Sequence, residues 1–551
     1  MANATESGLS KIGIYDVVIY GAKVIDGTGN PWFYGDVALS GDRITRVTPA
    51  GRIDRSTARE VVEANGMIVC PGFIDIQSHS IAPFLTDRRS ISKVTQGVTT
   101  EIMGELWTPA PFGGRRESPF LAGFSFVSEE IQQQARHWTR FHHWIDDLSG
   151  RGVSVNIGSF LGGATVREYA RGWEIGDPTS RELETMCRIT AEAMEDGAFG
   201  VATALIYPPN SYSTNAELIE IARVIGQYNG VYITHMRSEA DRFLESLADT
   251  IDLGRQAKVA VEIYHLKAAG QRNWHKMREA IAMIDAARAE GIDVGADMYP
   301  YIAGGTGLDA SLPPWAAADG KLLDNLRDPE IRARIRAEVL DPSGDWEPLG
   351  TLTGPENVLV GELRQPENTP YSGKRLAEIA TARGQHWVDT LMDLVLSEGP
   401  WIGTIYFMMT EENLALQMRQ PWMKFGTDAA GLDPDKPRLT HPRAYGNYPR
   451  ILGKYVRDEK VLPLEDAIRK MSSAVADRLS IRDRGLLREG CYADVVIFDS
   501  QTVSDRATFD NPHQVSTGIR DVWVNGQRVL ADGKHTGAFP GRPVYGPGRV
   551  N

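Results

Sequence analysis

The residues best able to do chemistry sit at the ends of short apolar runs. Asp75-Ile-Gln-Ser-His79 closes one run, and Gly104-Glu105 follows a second. Thr234-His-Met-Arg237 and Tyr264-His-Leu-Lys267 close two consecutive runs, and Gly426-Thr-Asp428 closes a late one. Each piece has a bland use when taken singly. A lone histidine at a strand end is commonly a hydrogen-bonded interior residue, Glu105 can simply open a loop, and Gly-Thr-Asp is a common turn. The joint arrangement carries the argument: two histidines on consecutive runs, with carboxylates on two others, supply the nitrogen and oxygen donors of a metal site with an open position. Water held by such a metal loses a proton near neutral pH, so the chemistry expected is hydrolysis by a metal-bound hydroxide.

For these ends to share one ion, the chain must bring them to one place. The apolar runs at 68–76, 99–103, 153–159, 199–205, 231–235, 260–266, 293–299 and 424–428 number eight. Helical patterns at 180–196, 216–228, 240–256 and 276–290 separate many of them. This alternation predicts an α/β chain folded as a (β/α)₈ TIM-like barrel, whose strand C-terminal ends converge on one active-site face. A doubly wound open sheet is the competing arrangement. Residues 302–423 are too long for one crossover and predict an inserted helical subdomain after strand seven. Short strands with Gly-Asn and Gly-Asp turns occupy both chain ends. They predict a small β-sandwich domain from 1–66 plus 485–551, beside a barrel over 67–484.

The bulk properties exclude other classes. Over 551 residues the formal net charge is -13, which repels nucleic acid and anionic membranes. Three cysteines, Cys70, Cys187 and Cys491, are too few and too scattered for a disulfide framework, and no CxxC pair suggests thiolate ligation. The start at 1–12 lacks the basic and apolar regions of a signal peptide, and no apolar run approaches the roughly 20 residues that cross a bilayer. A cytoplasmic enzyme acting on a small molecule is expected, as a monomer or a homo-oligomer. No Gly-x-Gly-x-x-Gly after a strand and no phosphate-binding Gly-Lys-Ser/Thr loop is present.

Several segments, in order, resemble the N-acyl-D-amino-acid deacylase (D-aminoacylase) branch of the amidohydrolase superfamily. They are Pro71-Gly-Phe-Ile-Asp75, Gly97-Val-Thr-Thr100, the two histidine segments, Asp297-Met-Tyr-Pro-Tyr301, Gly426-Thr-Asp428, His441-Pro-Arg443 and Asn525-Gly526. The first marks only the superfamily; the Tyr-Pro-Tyr and His-Pro-Arg segments point to the deacylase branch. The resemblance implies that His235 and His265 ligate one tightly held zinc and that Asp428 is the catalytic aspartate. It also implies that Arg443 grips the substrate carboxylate while Tyr299 and Lys267 line the pocket. The segment around Leu312-Pro-Pro-Trp315 resembles that family's helical subdomain, which can act as a lid.

Three departures matter. The superfamily's first strand ends His-x-His, but here Gln77-Ser78-His79 stands, so Gln77 and His79 make a weak first metal position and a second metal is left open. Where relatives carry a cysteine ligand after strand two, this chain reads Gly104-Glu105-Leu106. Strict register puts Leu106 at the cysteine position, and Glu105 becomes a ligand only with a one-residue shift. Gly304-Gly305-Thr306 stands where relatives often carry a serine-threonine pair, removing one hydroxyl from the carboxylate pocket. Two alternatives follow: hydrolysis of another C–N bond, such as a cyclic amide, or a metal-free, non-catalytic scaffold. D-selectivity enters through the resemblance alone.

Overall fold

The computed structural model describes residues 14–120, 127–342, 346–436 and 439–550. The polar start read above for a leader therefore lies outside the described residues.

Eight short strands line up side by side: β1 (Phe73–Asp75), β2 (Val98–Met103), β3 (Asn156–Ser159, resumed at Leu161–Gly162), β4 (Gly200–Ala204), β5 (Val231–His235), β6 (Ala260–Ile263), β7 (Val294–Met298) and β8 (Met423–Phe425). Each pairs in parallel with the next, through β1-β2-β3 and β3-β4-β5-β6-β7-β8. The ring closes just beyond the ends of β8 and β1. Asp428 N donates to Gln77 O at 2.9 Å, His79 N donates to Ala429 O at 3.1 Å, and Ser78 bridges Ala429 in parallel. Almost every strand residue is buried, as expected where side chains fill the barrel on one face and helices cover the other.

The covering helices include Ser180–Glu195, Asn215–Gln227, Phe243–Ala257 and Met277–Ala289. The first opens with a capping box, in which Thr179 accepts from Glu182 N and Glu182 accepts from Thr179 N. Among the described residues, no helix is long and apolar enough to cross a membrane.

Three expectations change in detail. The run 68–76 is two strands, because Ile68–Pro71 pairs with Tyr15–Val24 and Val495–Phe498 before the chain crosses into β1. The crossing is at Gly72, where a β-carbon would lie 2.1 Å from Thr99 Oγ1, so only a residue without one can pass. The last run is shorter than 424–428: Gly426-Thr427-Asp428 turns off the end of β8, and Asp428 takes a left-handed φ of +48°. The stretch 302–423 is not wholly helical. Its helices share a core with a three-stranded antiparallel sheet of Ala303–Gly307, Gly403–Phe407 and Val358–Val360.

Strands from both chain ends join in one nine-stranded sheet. Val17, Ile19, Val37, Val495, Ile497 and Trp523 pack together in its core.

Candidate active site

Glu105, His235 and His265 meet at the C-terminal mouth of the barrel. His265 Nε2 is 3.0 Å from His235 Nδ1 and 3.6 Å from Glu105 Oε1, and His235 Nδ1 is 3.9 Å from that same oxygen. Gly104 makes the approach of Glu105 possible. It holds φ at +109°, and a β-carbon there would lie 2.2 Å from Phe160 O. The Glu105 carboxylate, and not the Leu106 side chain, therefore faces the imidazoles. Gln77 Nε2 donates to Glu105 Oε2 at 2.6 Å, so the glutamine that replaces a family histidine now pins the glutamate.

The outward nitrogens of both imidazoles face one further carboxylate. Glu239 Oε1 lies 3.1 Å from His265 Nδ1, and Glu239 Oε2 lies 3.4 Å from His235 Nε2. Lys267 Nζ is 2.7 Å from both Glu239 oxygens and 2.7 Å from His265 Nδ1. Asp297 Oδ1 accepts from His265 N at 2.9 Å. Sequence reasoning missed Glu239, which sits in the loop after β5 with no motif to mark it.

On the other side of Glu105 stand His79 and Asp428. His79 Nε2 is 2.8 Å from Asp428 Oδ1 and 3.5 Å from Glu105 Oε2. Arg443 Nη1 is 2.7 Å from Asp428 Oδ2, and the guanidinium lies 4.6 Å over the Tyr299 ring. Arg443 Nη2 also donates to Gly305 O at 3.3 Å.

A buried strut fixes the turn that carries Asp428. Lys93 Nζ donates to Asp75 Oδ2 at 2.5 Å, to Ala429 O at 2.7 Å and to Thr427 Oγ1. Asp75 Oδ1 accepts from Thr427 N at 2.8 Å. Both Lys93 and Asp75 are fully buried. An aspartate ending a wholly apolar strand signals such a strut, because a buried carboxylate needs a partner.

The electrostatics favour a cation between the imidazoles. Burial pushes His235 down to about 4. Burial and the Lys267 ammonium also oppose charge on His265, but the carboxylates of Glu239, Asp428 and Glu105 outweigh them and push it up to about 10. Burial works against ionising Glu239 and Asp428, yet their cationic neighbours hold both well below the usual carboxylate range. Burial pushes the Tyr299 hydroxyl far up, so it stays protonated and can donate.

One nitrogen from each imidazole and one oxygen from Glu105 converge as the ligands of a divalent metal would, while Glu239 touches the rings from behind. The residues fit such a metal. His79, Glu105 and Asp428 form a second convergent group that shares Glu105.

All the site residues named from sequence except Gln77 line one cavity of about 440 Å³. Apolar residues line it too, Ile81, Leu106, Trp107 and Ile206 among them. Gln77 lies buried behind Glu105.

The model of the "Amidohydrolase family" matches residues 375–530. D-aminoacylase of Alcaligenes xylosoxydans xylosoxydans is 32% identical, covering 96% of this chain and 97% of its own. N-acyl-D-glutamate deacylase from Bordetella bronchiseptica, solved with zinc and a phosphonate inhibitor that mimics the tetrahedral intermediate, is 29% identical at a TM-score of 0.79, covering 96% and 99%. A D-aminoacylase structure described by its binuclear metal centre, with one-metal activation and second-metal attenuation, is 32% identical at a TM-score of 0.79, covering 96% and 100%. These likenesses span nearly the whole chain, and the mixed α/β architecture is that of an amidohydrolase barrel. The chain belongs to the D-aminoacylase (N-acyl-D-amino-acid deacylase) family of amidohydrolases.

Proposed function

We propose that the protein hydrolyses the amide bond of N-acyl-D-amino acids, with Glu105, His235 and His265 holding one zinc ion. The convergence of those three donors beside the ionised Asp428 carries the reading. A divalent metal in this position supplies an activated water and polarises the acyl carbonyl.

The protein's own groups do the rest. Asp428 accepts the proton of the attacking water as the C–O bond forms, then delivers it to the amine nitrogen as the C–N bond breaks. The left-handed turn and the Lys93–Asp75 strut keep its carboxylate aimed between Glu105 and Arg443. Arg443, Tyr299 and Lys267 hold the substrate carboxylate, which fixes the end of the molecule that faces the site. The apolar lining excludes bulk water and strengthens each of these contacts. Gln77 and His79 offer at best a weak second metal position, since an amide oxygen is a poorer ligand than imidazole.

In this reading, the described residues of 14–66 and 485–550 form a small β-sandwich domain beside the barrel. The described residues of 302–423 form an inserted subdomain that lids the cavity. The substrate is a small N-acylated amino acid. A metal count on active enzyme, together with turnover of paired D- and L-N-acyl amino acids, tests the function. One zinc per chain and D-selective release of the amine support it; turnover that survives complete chelation refutes it.

A further inference from the structure

The cavity contains a carboxylate that the mechanism does not use. Glu347 belongs to the stretch inserted after β7, yet it reaches the barrel loop that carries Glu239. Its Oε1 accepts from Ser238 Oγ at 2.5 Å, from Glu239 N at 2.7 Å and from Ala240 N at 2.7 Å. Three donors on one oxygen fix the side chain. Among the described residues, Oε2 accepts no hydrogen bond, and no lysine, arginine or histidine lies within ion-pair distance of the carboxylate. Lys267 contacts Glu239 and His265 instead.

Glu347 lines the same cavity as Glu239 and Lys267, and Ala269, Leu349 and Met408 are among the apolar residues that also line it. Methylene groups pack against leucine and methionine, and a fixed carboxylate with no cationic partner, lining a cavity, calls for a cation. Ile81, Leu106, Trp107 and Ile206, which also line the cavity, bring in no charge and suit an acyl chain. We propose that Glu347 selects substrates whose amino-acid side chain ends in an amine or guanidine, N-acylated D-lysine and D-arginine among them, by pairing its open oxygen with that cation. The proposal rests on the deacylase reading above and names the substrate class of that same site.

The test compares N-acetyl-D-lysine with N-acetyl-D-norleucine, which has nearly the same length but no charge. Wild-type protein should show a kcat/KM ratio for lysine over norleucine of about tenfold or more, the size of one charge-assisted hydrogen bond. In Glu347→Gln, which keeps the acceptor for Ser238, that ratio should fall to about one while norleucine turnover changes less than about threefold. A role confined to tethering the insert would lower both substrates together. The proposal is overturned by a wild-type ratio of one or below, or by a ratio that Glu347→Gln leaves unchanged. The wild-type ratio decides even if the variant does not fold. Calorimetric binding of free D-lysine and D-norleucine separates the two layers. If no N-acyl amino acid is turned over, the deacylase reading fails, and lysine binding at least about tenfold tighter than norleucine still upholds the basic subsite, whereas equal binding removes it.

Discussion

Arg443 Nη1 stands 2.7 Å from Asp428 Oδ2, so the side chain proposed to grip the substrate already holds the side chain proposed to carry the proton. A substrate carboxylate arriving at Arg443 competes with Asp428 for the guanidinium. Binding and proton transfer are thus linked through one ion pair, and the fixed orientation of Arg443 over Tyr299 limits where that competition can occur.

Replacing Arg443 with methionine keeps the bulk of the side chain and removes the charge. We expect KM to rise by about tenfold or more for substrates with a free carboxylate, and far less for the matching amides. Steady-state kinetics on acid and amide pairs check this. An unchanged preference for the acid excludes Arg443 from carboxylate recognition.

Asp428→Asn removes the proton carrier and none of the three donors proposed for the metal. Metal content by elemental analysis should stay at the wild-type level while kcat falls by about 10²–10⁴-fold, the usual worth of a positioned acid–base group. Full activity in this variant rules out the assigned role.

Glu239 touches the outward nitrogens of both imidazoles, so Glu239→Gln should weaken zinc binding by about 10–100-fold. A competition titration against a chelator measures this. Glu105→Gln should weaken it more, because a direct donor is altered. Equal affinity in all three proteins contradicts the proposed ligand set.

The Lys93–Asp75 pair is fully buried, and removing one partner leaves an uncompensated charge. Lys93→Met should cost about 3–5 kcal/mol of stability in denaturant unfolding. Combining it with Asp75→Leu should restore part of that stability, since the buried Glu101, 3.9 Å from the ammonium, still loses its cation, but not turnover, because Thr427 N then loses the acceptor that sets the Asp428 turn.

Burial, chiefly, pushes the Glu347 carboxyl up to about 7. An acid whose pKa is higher in the folded chain than in the unfolded one stabilises the fold at low pH, and that contribution is lost as pH climbs to the folded value. Glu347→Gln should therefore gain stability relative to wild type between about pH 4.5 and 7, with a plateau above. Thermal unfolding across this range checks the sign; a difference independent of pH contradicts it.

The barrel was legible because its strands are buried on both faces and read as uninterrupted apolar runs. Val231-Tyr-Ile-Thr-His235 announces both a strand and the proposed ligand at its end. The boundary at Gly72 was not legible. Ile68 to Ile76 is one continuous apolar pattern, and only the 2.1 Å approach to Thr99 shows why the chain must change sheets there. Glu105 was chosen from chemistry against strict register, and the +109° turn at Gly104 is what brings its carboxylate to the imidazoles. Glu239 and Glu347 escaped notice because each acts through a loop or insert folding back across many residues, and Lys93 because its short helix, Ile91–Val94, reaches Asp75 eighteen residues back; no local period records such contacts. The sheet inside 302–423 was missed for a similar reason: Ala303-Gly-Gly-Thr-Gly307 is a glycine-rich strand with little apolar signal.

The seam of the cylinder passes through the same peptide groups that carry Gln77, His79 and Asp428. A breathing motion that parts the first and last staves would pull the proton carrier away from the ion-binding pair without disturbing the rest of the core. Heat or mild denaturant should therefore silence the enzyme before the bulk helical signal declines, and turnover becomes a gauge of whether the ring is shut.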